Sequence, residues 1–171
     1  MSDTFITIIA VITVAVIMFV FPLMATANQN DSITQTSVQA LVSDFVNTVA
    51  KEGKITLNNY NEFVQKLHAT GNTYQVELEV QILADNPGKK GTQINVIGES
   101  TYYSEFTNSI ESELNANGVK KLNQGDYILA KVQNTNITMG TNLKNFFYSL
   151  VGKDTIAIEA SASALVTTTG R

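Results

Sequence analysis

The most prominent pattern in the chain is an uninterrupted apolar run near its N-terminus. Residues Phe5 to Ala27 read FITIIAVITVAVIMFVFPLMATA and include no charged side chain. An α-helix rises about 1.5 Å per residue and the hydrocarbon core of a bilayer is about 30 Å thick, so about 20 apolar residues cross it. The run therefore predicts a membrane-spanning helix. Pro22 has no N–H to donate, and we expect it to kink or loosen this helix near Met18.

A secretory signal peptide is the alternative interpretation of the same run. Ala25-Thr26-Ala27 has the small-x-small form of a cleavage site. The run is longer than the usual apolar core of about 7–15 residues, and no Lys or Arg precedes it. Because the first lysine is Lys51, the charge bias that sets membrane orientation gives almost no information here.

After the apolar run, the pattern becomes that of an amphipathic helix. Asn28 to Ser32 form a polar hinge, in which Asp31 or Ser32 can cap a new helix. Gly53 is the predicted stop of that helix. Its polar face lacks the Lys/Arg belt of a membrane-surface helix, so we expect its apolar stripe to face a protein core. The stripe consists of Val38, Leu41, Val42, Phe45, Val46 and Val49.

The next segments alternate between helical and strand periods. Thr56 is predicted to cap a second helix, which Gly71 closes. Residues 74–82 alternate between apolar and polar positions with a period of two, which predicts a strand with one wet face. A turn-rich loop over 85–91 should lead into a short return strand over 93–97.

Residues 99–116 have a helical pattern. Its two faces are an apolar one, with Tyr103, Phe106, Ile110 and Leu114, and an acidic one, with Glu105, Glu111 and Glu113. Paired carboxylates can serve as a general acid and base. No His, Lys or metal partner is implied by the spacing, so a solvated helix face is the preferred interpretation.

The C-terminal pattern completes an α+β fold. A strand is expected over 127–133, Asn142 can cap a short helix, and a last strand with small residues on one face covers 155–166. The fold class is therefore a long N-terminal hydrophobic helix followed by a small α+β head with a mostly antiparallel sheet. Three segments follow: a membrane or filament-core helix over 1–27, an amphipathic helical continuation over 28–54 and the globular head over 55–171.

Composition narrows the possible functions. The chain has 171 residues, no cysteine and one histidine, His68, which excludes disulfides, thiolate chemistry and triads that need a second histidine. The net charge of −4 without a basic cluster argues against nucleic acid as a partner. We therefore expect no enzyme activity, no catalytic residues, no cofactor and no metal site.

The overall outline resembles the type IV pilin family. The resemblance rests on a hydrophobic helix that begins within a few residues of the N-terminus, carries the lone acid Asp3, has Pro22, and continues into an amphipathic helix and a small sheet. It is closest to the TadE-like pseudopilins of tight-adherence pilus systems. The stretches that carry this closer resemblance are 45–49, 53–55, 60–63, 67–74, Gly125-Asp126-Tyr127 and the last strand with its ending Gly170-Arg171.

The resemblance implies a structural subunit that assembles through Phe5–Ala27 into a helical filament, with copies of itself or with other pilin-like subunits. It also implies a single-pass membrane protein whose head lies outside the cell. Pilins carry glutamate at the fifth mature position, where this chain has Phe5, so the resemblance gives the role of that acid to Asp3. Its expected partner is the N-terminal amine of an adjacent subunit; a solvated acid at the membrane edge is the alternative. The candidate assembly residues are thus Asp3, Phe5 and Pro22.

Two further alternatives stay open at this point. No basic leader ending at a glycine-type cleavage point precedes the apolar run, so either Met1 is the native start or a leader has already been removed. The second function hypothesis is a membrane-anchored, extracytoplasmic binding or sensor module that stays monomeric.

Overall fold

The computed structural model describes residues 2–83, 102–138, 141, 142, 145 and 158–170. The chain divides into two compact units. The first, here called the N-terminal unit, comprises Met1–Gln35 with Ile137–Ile158; the second, here called the head unit, comprises Thr36–Asn136 with Glu159–Arg171. Each unit is considered by itself below.

The first element is α1 (Ser2–Glu52), a single helix through the whole apolar run and the amphipathic stripe. The prediction of a polar hinge at Asn28–Ser32 is therefore wrong, because no new helix begins at Asp31 or Ser32. This segment contains neither Gly nor Pro to stop a helix. The Ser32 hydroxyl donates to the Asn28 carbonyl oxygen at 3.0 Å, a contact made inside the helix and not at its start. The helix also continues through Pro22, and the kink near Met18 stays a prediction.

The amphipathic part of α1 contributes to the core of the head unit. Val38, Val42 and Val49 are completely buried, which confirms the predicted core-facing stripe. The helix ends at Glu52, as the glycine at position 53 predicted. Gly53 has φ of +67°, a conformation that costs a residue with a Cβ about 1–2 kcal/mol.

Two short elements follow, β1 (Lys54–Thr56) and α2 (Leu57–His68). Thr56 caps α2 as predicted, since its Oγ1 accepts a hydrogen bond from the Asn59 backbone N–H at 3.1 Å. Phe63 of α2 stacks on Phe45 of α1 with ring centroids 4.4 Å apart. This contact packs the second helix against the first within the head unit.

The described strands form two antiparallel sheets. The first pairs β1 with β4 (Val119–Lys121). The second has the order β3 (Tyr102–Phe106), β2 (Tyr74–Leu83), β5 (Tyr127–Asn134) and β6 (Glu159–Leu165). The structure thus confirms the α+β class and the antiparallel sheet. Strands β2, β5 and β6 correspond to the strands predicted over 74–82, 127–133 and 155–166, although β6 begins at Glu159 and 155–157 lie outside the described residues. β1 and β4 were not predicted.

The helix expected over 99–116 is only partly present. Residues 102–106 form β3, and the helix α3 is confined to Thr107–Asn117. Tyr102, Tyr103 and Phe106 favour a strand intrinsically, and pairing with β2 outweighs the helical spacing of the apolar positions. The loop predicted over 85–91 and the return strand over 93–97 lie outside the described residues.

One face of each of the strands β2, β5 and β6 joins the core of the head unit. Ile110 and Leu114 of α3 are buried in this unit as well. The buried sheet residues are Leu78, Val80, Ile128, Ala130, Val132 and Ala160.

In the N-terminal unit, Asn142 was predicted to cap a short helix. The structure shows a contact of this kind at Thr138 instead, whose Oγ1 accepts a hydrogen bond from the Thr141 backbone N–H at 3.1 Å. Leu143 and the apolar residues predicted to follow it lie outside the described residues.

Candidate membrane and assembly segment

The apolar part of α1 exposes its side chains over the whole surface of the helix. Its most apolar 18-residue window has a mean hydropathy of 2.8, and within the described chain none of that window is buried. Phe19 is 73% exposed and Ile9 and Ile17 are each 48% exposed, while Val20 and Met24 are partly exposed. The helix is therefore long and apolar enough to span a membrane. Monomeric soluble proteins rarely expose an apolar surface of this extent.

The hydroxyl groups in the apolar run are satisfied within the helix. Thr7, Thr13 and Thr26 each donate to the carbonyl oxygen four residues earlier, at 2.8, 2.8 and 3.0 Å. An unsatisfied hydroxyl in an apolar medium would cost several kcal/mol, and these internal bonds avoid that cost. The polar atoms of this segment thus do not oppose insertion into lipid or into a bundle of apolar helices.

The three candidate assembly residues lie on this helix but do not form one site. Asp3 is exposed in the first turn, where a negative charge interacts favourably with the helix dipole. Phe5 is 66% exposed and lies within the same turn. Pro22 is also exposed, but at 1.5 Å per residue it lies about 28 Å along the axis from Asp3. Asp3 and Phe5 can act together, whereas Pro22 would act separately.

A second acid marks the polar end of the N-terminal unit. The Asp31 carboxylate accepts a hydrogen bond from the Thr138 hydroxyl at 3.1 Å, and that hydroxyl lies 3.0 Å from Thr141 Oγ1. Asp31 lies four residues beyond the last residue of the apolar run. From sequence, Asp31 was predicted only as a possible helix cap, because its partner is more than 100 positions away.

The acidic face predicted on residues 99–116 is not simply solvated. Lys120 of β4 donates to Glu105 at 2.6 Å and to Glu113 at 2.7 Å, while only 7% of the lysine is exposed. Burial of the ammonium lowers the pKa of Lys120, but the hydrogen bonds and charges of the two glutamates outweigh this, and the pKa is raised overall. The expectation that no lysine partner exists is therefore wrong.

Glu111, the third predicted acid, also has a partner. Its carboxylate accepts a hydrogen bond from the Tyr60 hydroxyl of α2 at 2.7 Å. Burial of the phenol, followed by this hydrogen bond, raises the pKa of Tyr60 well above its usual range. These carboxylates tie α3 to β4 and to α2, which is a stabilising role within the head unit.

Asp126 has a similar structural role in the turn before β5. It is 2% exposed, and its two carboxylate oxygens accept the backbone N–H groups of Leu83 at 3.0 Å and Asn123 at 2.7 Å. Among the residues that the structure describes, no group of three or more His, Asp or Glu side chains is placed to hold a metal ion.

Comparisons with known proteins found no match: no family model, no curated protein and no solved structure matches this chain.

Proposed function

We propose that the chain is a pilin-like structural subunit, a pilin or a pseudopilin. It is held in the membrane by Phe5–Ala27 and assembles through the same segment into a surface filament with copies of itself or with other pilin-like subunits. The head then lies outside the cell. The observation that carries the proposal is that no residue in the most apolar window of α1 is buried in the described chain.

The head unit supports this proposal because its core does not use the apolar run. Its buried residues begin at Val38, eleven positions after Ala27, and continue through α2, α3 and the sheet. An apolar helix that the fold does not need is free to pack against lipid or against other apolar helices. Exchange of lipid for neighbouring helices leaves its side chains in apolar surroundings, so the change costs little.

Asp3 gives the proposed assembly a specific contact. A carboxylate within an apolar bundle is costly unless it is paired. In a filament of parallel helices, the N-terminal amine of a neighbouring subunit would lie at the same level as Asp3 and supply that partner. Phe5, one turn further, would pack against the neighbouring apolar surface.

The test compares filament yield for Asp3→Asn, Asp3→Ala and the control Asp44→Asn. Asp44 is an exposed acid on the same helix but in the head unit, so its change removes a charge without touching the proposed contact. We expect both Asp3 variants to lower the yield of sheared filaments in electron micrographs at least tenfold, the effect of about 1.4 kcal/mol per contact. The control should assemble normally, and all three heads should keep their melting temperatures.

Two outcomes would count against the proposal. Normal filament yield from both Asp3 variants refutes the pairing. A chain that stays monomeric in detergent and in cell membranes, with no filament containing it, refutes the subunit function and favours the anchored binding module. N-terminal sequencing of the native protein tests the remaining requirement, which is that Phe5–Ala27 is retained.

A further inference from the structure

The strand β2 is only half covered on one of its edges. β5 pairs with β2 over Tyr74–Gln81, but β3 pairs with it only over Glu79–Leu83. Among the strands that the structure describes, the Tyr74–Leu78 half therefore has a neighbour on one side alone. At about 3.3 Å per residue, this half-edge is about 16 Å long.

The side chain of Thr107 ends the covered part of this edge. Its hydroxyl accepts the Leu78 backbone N–H at 2.8 Å and donates to the Leu78 carbonyl oxygen at 3.3 Å. Both backbone groups of Leu78 thus point away from β5. Because backbone groups of alternate residues point to the same side of a strand, those of Val76 point there too. Among the described residues, no hydrogen bond reaches the Val76 N–H or C=O on that side.

This edge opens onto a recess of about 570 Å³. Phe106, which is 62% exposed, forms part of its rim, and Asn108 of α3 and Leu129 of β5 contribute to its lining. An open strand edge beside a recess is a template for an additional strand, and natural proteins usually cover or charge such edges. Here β2 carries charge at Glu77 and Glu79.

Charge around the edge selects the kind of strand that fits. Glu77 and Glu79 point to the outer face of the sheet, and hydrogen bonds from Ser104 at 2.6 Å and Gln81 at 3.1 Å lower the pKa of Glu79. Lys131 of β5, also at the recess, lies opposite Glu77 in the register and is paired with Glu159 at 3.0 Å. The carboxylates of Glu77, Glu79 and Glu159 outnumber this one lysine, so the outer face carries net negative charge.

The inner face of the same half-strand is apolar. Val76 and Leu78 point toward the core side of the sheet, and Leu78 is fully buried. A strand added beside them would place alternate residues on this side and on the acidic side. The matching sequence alternates apolar residues with Lys or Arg.

We propose that the Tyr74–Leu78 edge of β2 is an acceptor site for an extended peptide segment of a partner protein, with alternating basic and apolar residues. The segment would lie beside Tyr74–Leu78, past the point where β3 ends at Phe106, and bond to the backbone of Val76. The site lies wholly within the head unit and needs neither Asp3 nor the apolar run, so it goes beyond the function proposed above.

The experiment measures binding of fluorescent octapeptides to the full chain in nanodiscs of zwitterionic lipid, by fluorescence anisotropy. The probes are an alternating Lys/Val peptide, its Glu/Val counterpart, and the Lys/Val peptide N-methylated at alternate residues so that one backbone edge is blocked. Empty nanodiscs report binding to lipid alone. We expect the Lys/Val peptide to bind at least tenfold more tightly than either of the others.

Three variants connect this binding to the edge. Val76→Pro removes the edge N–H without removing a bond to β5, and proline is tolerated at a strand edge, so affinity should fall at least tenfold. Val76→Thr keeps the N–H and should bind as the wild type does. Glu77→Lys balances the charges on the outer face and should abolish the preference for the Lys/Val peptide over the Glu/Val peptide, which keeps the test valid if the proline variant does not fold.

The proposal is overturned if no peptide binds the wild type up to about 1 mM, a binding free energy of only about −4 kcal/mol. It is also overturned if folded Val76→Pro and Glu77→Lys bind as the wild type does. Self-association that Val76→Pro abolishes, without peptide binding, would show that the edge serves a second copy of this chain and refute the peptide partner. Filament yield is measured in a separate assay and tests the pilin proposal independently of peptide binding.

Discussion

The two parts of α1 are built from similar residues but have opposite surroundings. Ile12 is 57% exposed and no described side chain of the apolar run is buried, whereas Val42, in the amphipathic part of the same helix, is completely buried. The difference lies in the period, because the apolar run has no polar face, whereas the second part has one. A helix with one apolar stripe packs that stripe against a protein core. A helix that is apolar on all sides is stable when lipid or other apolar helices surround it.

The same substitution in each part should have opposite effects on the head. Val42→Asp places a carboxylate in the core without a partner, and we expect a loss of about 3–5 kcal/mol, enough to unfold many domains of this size. Ile12→Asp should leave the melting of the head unchanged in detergent while lowering membrane retention and filament yield. Near-UV circular dichroism measures the first effect, and cell fractionation measures the second. A folded Val42→Asp head would contradict the burial of this stripe.

The end of the buried part depends on a close approach that only glycine allows. Gly53 has φ of +67°, and a Cβ there would collide with the backbone of Thr168 and Gly170. Gly71 also has a positive φ, +87°, but a Cβ there would meet open space. We expect Gly53→Ala to cost about 2 kcal/mol or more and Gly71→Ala about 1 kcal/mol, measured by chemical denaturation. Equal losses would show that backbone strain alone, and not the approach of the C-terminal residues, fixes Gly53.

Local patterns predicted the elements whose signal lies within one segment. The stripe around Val42, the Thr56 cap and the alternation in β2 needed no distant partner. β3 was predicted as a helix because its pairing with β2 is not visible in its own sequence. Lys120 was not connected with Glu105 and Glu113 because the three lie on separate elements that only the fold brings together.

The candidate site also combines features that local sequence shows with contacts between distant residues that it does not show. The apolar run was identified from sequence because membrane insertion depends on local composition and length. Asp3 and Phe5 became candidates only through the resemblance to pilins, and their role in assembly stays a prediction. The Asp31–Thr138 contact and the half-covered edge at Val76 were not, since both depend on residues far apart in the chain. The polar hinge at Asn28–Ser32 failed because polar residues without Gly or Pro allow a helix to continue.

The head should lose stability at high pH through Lys120. Its pKa in the folded chain is raised above the ordinary value of 10.5. The stabilisation is therefore fully present below 10.5 and is lost as the pH rises through the raised folded value. Lys120→Met should cost about 1–2 kcal/mol at neutral pH and flatten the alkaline part of the stability profile. Lys66→Met, which breaks only an exposed pair with Glu62, is the control and should leave the stability profile unchanged, because solvent screens such a pair. An alkaline slope that persists in Lys120→Met would assign it to other groups.

The smallest effects are expected when a single hydroxyl is removed, either from the head unit or from the apolar run. The Thr107 hydroxyl holds the backbone of Leu78 in the head unit, so Thr107→Val should cost about 1–2 kcal/mol, because it leaves a half-buried N–H without its acceptor. The Thr13 hydroxyl donates only to the Ile9 carbonyl oxygen, which keeps its helical partner, so Thr13→Val should change neither head stability nor filament yield measurably. Urea denaturation in detergent and filament counts measure the pair. A loss of assembly in Thr13→Val would mean that this hydroxyl bonds to a neighbouring subunit, and that the apolar surface is joined by polar contacts as well as by packing.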